Sequence, residues 1–304
     1  MEKGKVLLMA HETYNLTVVS PMFLNGATSN QPEFRAASVR GQLRYWLRAI
    51  EGAKRESLED IRTVETAFLG STQMGSMVSV RVYGHDNLKV AESFMLPHRG
   101  EKKSPAKAIQ PGSGFRVDSV TRPGVKIPVV YKKARGAWFL LGGLGKRSRR
   151  MFGAFDPFPP EEIKSPMQLV KRIKEELSEI VGEVAPIRVP NFPTLHPAYS
   201  WVVVGRTQEY KEPQKLIIDL FNRLLRSEKY RPHERSFGYT ARNERRASPL
   251  IAQMRKVGGN YLPVLTVMRS NAPGDKIEWE VLNNFMNDAI QLWDGVTVWG
   301  GELR

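Results

Sequence analysis

Gly142-Gly143-Leu144-Gly145-Lys146-Arg147-Ser148-Arg149-Arg150-Met151-Phe152-Gly153 is the stretch from which the rest of the chain reads outward. Glycines flank a core that holds four cations in five residues, 146–150. Before it, residues 134–141 read as the end of an apolar helix. After it, 151–155 reads as a short strand. Glycine admits positive φ and lets another backbone approach closely. Successive N–H groups in such a turn can converge on one anion, and clustered Lys and Arg add long-range attraction. The spacing is not a nucleotide P-loop: Leu140 stands where the first glycine belongs, and Arg147 follows Gly145-Lys146. Nor is it a dinucleotide fingerprint, because Ser148 holds the third glycine position. A nucleic-acid backbone is the remaining polyphosphate. The plain alternative is a helix-terminating glycine followed by a solvated turn.

Working back towards the N-terminus, 6–19 reads as strand and 21–32 as loop. Residues 38–50 form an amphipathic helix with Ser38 as its expected cap. Val39, Leu43, Trp46, Leu47 and Ile50 share one face, and Arg40, Arg44 and Arg48 share another at four-residue steps. Stacking like charges this way costs a few tenths of a kcal/mol per pair, which an anion lying across them would offset. A solvated or internally paired face is the alternative. Gly41 weakens that helix by roughly 1 kcal/mol relative to Ala and leaves room for a phosphate or another backbone. Residues 76–83 alternate as a strand. Residues 84–126 are loop-heavy, and 99–114 carries Arg99, Lys102, Lys103 and Lys107. It reads as a basic flap that orders on RNA or as a plain surface insertion. Strand 115–120 and helix 132–141 follow. The order strand, helix, strand, strand, helix, strand is the ferredoxin-like pattern.

Asp156-Pro157-Phe158-Pro159-Pro160 is a rigid break. It sets the expected domains at 1–157 and 158–304. Ser165-Pro166 then opens a helix, with strand 199–204, helix 213–225, strands near 251–256 and 261–268, helix 278–292 and strand 296–299 after it. The same order repeats, so the fold class is α+β with two tandem ferredoxin-like (RRM-like) domains. Between 225 and 250 runs a cationic tract of Arg231, Arg235, Arg242, Arg245 and Arg246. The second copy has no basic glycine loop before its last strand.

Over 304 residues the formal net charge is +15 and the pI is near 10. That imbalance favours an acidic partner. With 41% hydrophobic residues the chain can build a core. It has no cysteine, which excludes disulfides and thiolate metal sites. No run approaches the ~18 apolar residues of a membrane span, and the N-terminus lacks a convincing signal peptide. A cytoplasmic protein without membrane contact is expected.

Gly143-Leu144-Gly145, five residues, then Met151-Phe152-Gly153 resembles the G-h-G-x5-G-h-G loop of the CRISPR-associated RAMP proteins. Met151 occupies a position that is usually glycine there. Gln31-Pro32-Glu33-Phe34-Arg35 with 38–46, and the 244–250 stretch around Arg-Arg-Ala-Ser-Pro-Leu, resemble one RAMP subfamily. It is the first-numbered RAMP subunit of the Cmr, or type III-B, effector complex. The resemblance implies ferredoxin-like folds and a subunit of an RNA-guided RNA-silencing machine. Its expected partners are CRISPR guide RNA, single-stranded target RNA near the guide 3′ end, and other Cmr subunits. The RNA-binding residues expected are Arg35, Arg40, Gly41, Arg44, Arg48, Gly143, Gly145, Lys146, Arg147, Arg149, Arg150, Arg242, Arg245 and Arg246. Tyr45, Trp46 or Phe152 could add base stacking, with core packing the stronger reading for Trp46.

Metal-free RNA cleavage needs a general acid and base. The five histidines, His11, His85, His98, His196 and His233, form no close sequence pair. His11 is the candidate if the chain were a guide-processing RAMP endoribonuclease. No HExxH or paired-Asp signature is present. The expectation is a non-catalytic binding subunit with no cofactor and no metal; a nuclease or a pure scaffold are the alternatives.

Overall fold

The computed structural model describes residues 8–26, 28, 31–96, 105–159, 162–241, 244–271 and 276–303. The first half runs β1 (His11–Val18), α1 (Ala36–Glu51), α2 (Leu58–Leu69), β2 (Val78–Gly84), β3 (Val90–Phe94), β4 (Pro105–Ile109), β5 (Gly114–Thr121), α3 (Val129–Leu141) and β6 (Phe155–Asp156). The second runs α4 (Pro166–Val181), β7 (Ser200–Val204), α5 (Pro213–Asp219), β8 (Tyr239–Ala241), β9 (Glu244–Arg246), β10 (Leu250–Val257), β11 (Asn260–Met268), α6 (Trp279–Trp293) and β12 (Val296–Gly300). A π-helical turn over Leu220–Leu225 and a 3-10 helix over Arg231–Phe237 lie between α5 and β8.

Two four-stranded sheets result, ordered β2-β5-β1-β6 and β10-β11-β7-β12, and every neighbouring pair is antiparallel. Numbered within each half, both orders are second, third, first, fourth. The fold is mixed α/β with antiparallel sheets. The apolar stripe predicted for α1 is buried: Val39, Leu43, Trp46, Leu47 and Ile50 are at most 1% exposed. Its start differs from the sequence reading. Arg35, in an extended conformation, precedes the first turn with no side-chain cap, and Ser38 lies inside the helix. At α4 the local signals hold: Ser165 and Gln168 form a reciprocal capping box with Pro166 behind it.

The residues 84–126, read as mostly loop, contain the β3–β4 hairpin. Alternation there is too short to register in a pattern scan. Arg99, Lys102 and Lys103 of the expected flap lie outside the described residues. The sequence reading also passed over α2, whose N-terminus is capped by Ser57 accepting from the Asp60 N–H at 3.3 Å.

One core cluster runs through both halves, from Leu16 and Trp46 to Leu177, Val204 and Val264. α4 packs on α3 and on β12. At the seam, Arg255 of β10 is fully buried. It donates from Nη2 to the carbonyls of Phe139 at 2.6 Å and Leu140 at 2.8 Å, the last turn of α3. A guanidinium suits a helix C-terminus, where unpaired carbonyls and the negative dipole end converge. So the second half holds the helix that delivers the glycine loop. Among the described residues no helix is long and apolar enough to cross a membrane.

Candidate nucleic-acid interface

The glycine loop leaves α3 at Gly142 and is stitched down on both sides. Leu144 N–H donates to Gly153 O at 2.9 Å, Lys146 N–H to Phe23 O at 2.8 Å, and Gly153 N–H to Pro21 O at 3.0 Å. Met151 N–H donates to Ala252 O on β10 at 2.8 Å, and Arg150 N–H to Arg147 O at 2.8 Å. These five amides are committed inside the protein and are not offered to an anion. What the loop offers to the groove includes the side chains of Arg147, Arg149 and Arg150.

Gly145 has φ +89°, and a Cβ there would lie 2.5 Å from Phe23 O. Only glycine fits so close to the β1–α1 connection. Met151, read as the start of a strand, instead sits in a turn at φ +65°, and Arg147 is at φ +58°. Met151 thus takes the left-handed conformation that glycine adopts readily, at a cost sustained by surrounding hydrogen bonds.

Arg147, Arg149 and Arg150 face a groove of about 890 Å³. Its opposite wall is built by the second half: Arg226 after the π-helical turn, Arg235 in the 3-10 helix, and Arg245 and Arg246 on β9. Among the described residues, seven arginines therefore line one groove with a single carboxylate, Glu234. The two walls are tied together. Arg149 donates to Ser248 O, and Gln253 of β10 donates to Ser148 O. Arg150 donates to Phe237 O at 2.6 Å and Ser248 Oγ at 3.1 Å. Burial, with the charges of Arg149, Arg147 and Arg226, pushes the Arg150 pKa down to about 9. The field inside the groove is that of crowded, incompletely compensated cations.

The arginines differ in duty. Arg150 is a strut between the halves. Arg246 is anchored by Ser270 Oγ at 2.7 Å. Arg245 and Arg235 are exposed. Tyr239, on β8, has the Arg235 guanidinium 5.8 Å and the Lys276 ammonium 5.9 Å from its ring centroid.

The α1 arginines do something else. Arg44 and Arg48 both pair with Glu65 of α2. Arg44 also donates to Leu69 O at 2.9 Å and Gly70 O at 2.7 Å, and Arg40 to Leu69 O at 2.9 Å. They cap the α2 C-terminus, so the expected anion lying across Arg40, Arg44 and Arg48 is replaced by a buried glutamate and helix carbonyls. Burial opposes ionisation of Glu65, but hydrogen bonds from Arg48 and Arg44 outweigh it and hold its pKa below the ordinary carboxylate value. Gly41 is exposed, and no protein atom lies near where its Cβ would be. Arg35 is exposed at the head of α1, outside the groove lining, as is Lys146. Gly143 is buried against the Gln253 side chain. Arg242 lies outside the described residues.

Among the stacking candidates, Phe152 is corrected and Trp46 takes the core position favoured for it. Trp46 and Phe152 are fully buried in the core. Tyr45 has the Arg149 guanidinium 5.0 Å from its ring centroid, joining α1 to the loop. Sequence reasoning missed Arg226, Glu234 and Tyr239 as groove residues. Their nearness to the cationic tract was the available signal, but only the fold turns them inward.

Known proteins resemble this chain along its length. The RAMP superfamily model matches residues 15–156. The CRISPR system Cmr subunit Cmr1-2 of Pyrococcus furiosus is 37% identical over 79 residues, which span 26% of this chain and 42% of that protein. Subunit Cmr1-1 of the same organism is 23% identical over a 331-residue alignment, covering 94% of this chain and 96% of the other. The crystal structure of apo Cmr1 from Pyrococcus furiosus superposes with a TM-score of 0.68 at 21% identity, over 96% of this chain and 99% of that one. A chain of the type III-B Cmr-beta complex bound to cognate target RNA, seen by cryo-EM, superposes at 0.61 with 12% identity, over 91% and 98%.

Proposed function

We propose that this homologue of Pyrococcus furiosus Cmr1 is a non-catalytic RNA-binding subunit of a type III-B CRISPR (Cmr) RNA-silencing complex, acting in the cytoplasm. In this reading it holds guide or target RNA near the guide 3′ end, beside other Cmr subunits. The observation that carries the reading is the groove itself: seven arginines, drawn from both halves, around one carboxylate. Guanidinium groups match phosphate oxygens bidentately, and contacts to phosphate read no base, which suits a machine that must accept many guide sequences. The net charge of +15 gives the long-range attraction. The same reading takes the chain as two tandem ferredoxin-like domains, 1–157 and 158–304. The shared strand order of the two sheets supports it.

The test is single-stranded RNA binding across a salt series, comparing wild type with Arg147→Glu/Arg245→Glu. On single strands log affinity falls with log salt by ~0.7 per phosphate contact. The variant should bind more weakly and with a flatter slope. Unchanged affinity and slope would refute the groove as the RNA site.

One observation favours a nuclease as second reading. His11 Nε2 lies 3.2 Å from Thr13 Oγ1 and 3.7 Å from Asp118 Oδ1 on the first sheet. These residues are not among those lining the groove. Incubating labelled RNA with the protein in EDTA decides: cleavage that His11→Ala abolishes would replace the binding reading.

A further inference from the structure

Glu234 is the one acid in the groove lining. Its Oε2 accepts from Arg226 Nη1 at 2.6 Å. The two residues come from different elements, the end of the π-helical turn and the 3-10 helix, and the pair is open to water: the Arg226 side chain is 37% and the Glu234 side chain 60% exposed. An exposed ion pair of this kind is weak and exchanges readily. Its oxygens are a carboxylate's, and a phosphate oxygen is the chemically equivalent acceptor for the same guanidinium. Both side chains line the groove.

We propose that Glu234 is a built-in competitor for one phosphate position of the groove, and that it sets the preference of the site for strands over single phosphates. The proposal rests on the reading of the groove as an RNA site. A carboxylate tethered beside Arg226 acts at an effective concentration on the order of millimolar. A free monophosphate meets that competitor with no second contact to hold it, so its binding at Arg226 is weakened by the full factor. A strand already held at neighbouring positions, by Arg235 and Arg245, presents its next phosphate at a comparable effective concentration. It exchanges with Glu234, which turns out to solvent. The ligand class this selects is a single-stranded polyphosphodiester long enough to engage Arg226 together with Arg235 and Arg245.

The experiment compares full-length wild type and Glu234→Gln with a short labelled oligouridylate and with uridine 5′-monophosphate, each over a salt series. Glutamine keeps the size and removes the charge. Glu234→Gln should bind the oligomer roughly 1.5- to fivefold more tightly. Its salt slope should steepen by up to ~0.7. The monophosphate should gain by a larger factor, so that selectivity narrows. In an Arg226→Ala background the Glu234→Gln gain should vanish, because the contested position is gone. Matching melting curves identify any variant that is misfolded. Oligomer binding by wild type with no gain in Glu234→Gln would overturn the proposal and leave the RNA reading standing. A gain that survives Arg226→Ala would also overturn it, as a general charge effect. Absence of oligomer binding by both proteins would overturn the RNA reading and this proposal together.

Discussion

Arg150 reaches from the glycine loop across the seam and donates from Nη2 to the carbonyl oxygen of Phe237 at 2.6 Å. One end of the bond belongs to the first half, the other to a 3-10 helix of the second. The groove therefore exists only while both halves are docked. This separates arginines that build the site from arginines that face its contents.

Replacing a builder and a facing residue should give opposite signatures. Arg150→Met leaves Phe237 O and Ser248 Oγ without that donor, which costs about 1–3 kcal/mol of stability. Arg245→Ala, on the exposed side of β9, should change stability by no more than ~0.5 kcal/mol. It should weaken RNA binding and lower the salt slope by ~0.7. Denaturant melts and filter binding on the two variants check both halves of the statement.

The α1–α2 network should matter to folding and not to RNA. Glu65→Ala strands Arg44 and Arg48 and should cost roughly 1–3 kcal/mol, while Arg48→Ala leaves RNA affinity unchanged within about twofold. Because the folded pKa of Glu65 lies below its unfolded value, its contribution is present above the ordinary carboxylate pKa. It fades as pH falls through the lowered one. Stability measured from neutral pH down into the acid range should fall less steeply in Glu65→Ala than in wild type.

Asp156 works with the other sign. It stands on β6 near Arg255, and burial raises its pKa to about 6 from an ordinary value of 3.8 despite that cation. Between those values the native state holds the proton more tightly than the unfolded chain, so the contribution declines as pH rises from about 4 to 6. Wild type minus Asp156→Asn stability should drop across that window by up to about 3 kcal/mol. A flat difference would show that the carboxyl is better compensated than its burial implies.

Gly145→Ala tests the loop's anchorage. At φ +89° with Phe23 O 2.5 Å from the new Cβ, either the β1–α1 connection or the loop must shift. The expected cost is about 1–3 kcal/mol, with RNA affinity reduced because Arg147 and Arg149 move with the loop. Gly41→Ala, where no protein atom lies near the added methyl, should instead stabilise α1 by up to ~1 kcal/mol. Thermal melts of the pair suffice.

By itself the sequence determined the elements whose causes are local. The buried stripe of α1 follows from helical periodicity, and the Ser165–Gln168 box from a four-residue pattern. The strands and helices that build the two four-stranded sheets follow from alternation and helical periodicity. The basic glycine loop and the 245–246 tract were visible as charge. Their convergence was not, because nothing in a linear pattern says that β10 lies beside the loop, joined at Met151 and Ala252. Nor does spacing reveal which cations have an internal acceptor. Arg40, Arg44 and Arg48 look as available as Arg245 until α2 brings Glu65 and its last carbonyls to them. Charge is a property of a residue, but its availability to a ligand depends on neighbours far along the chain, and tertiary packing alone decides those.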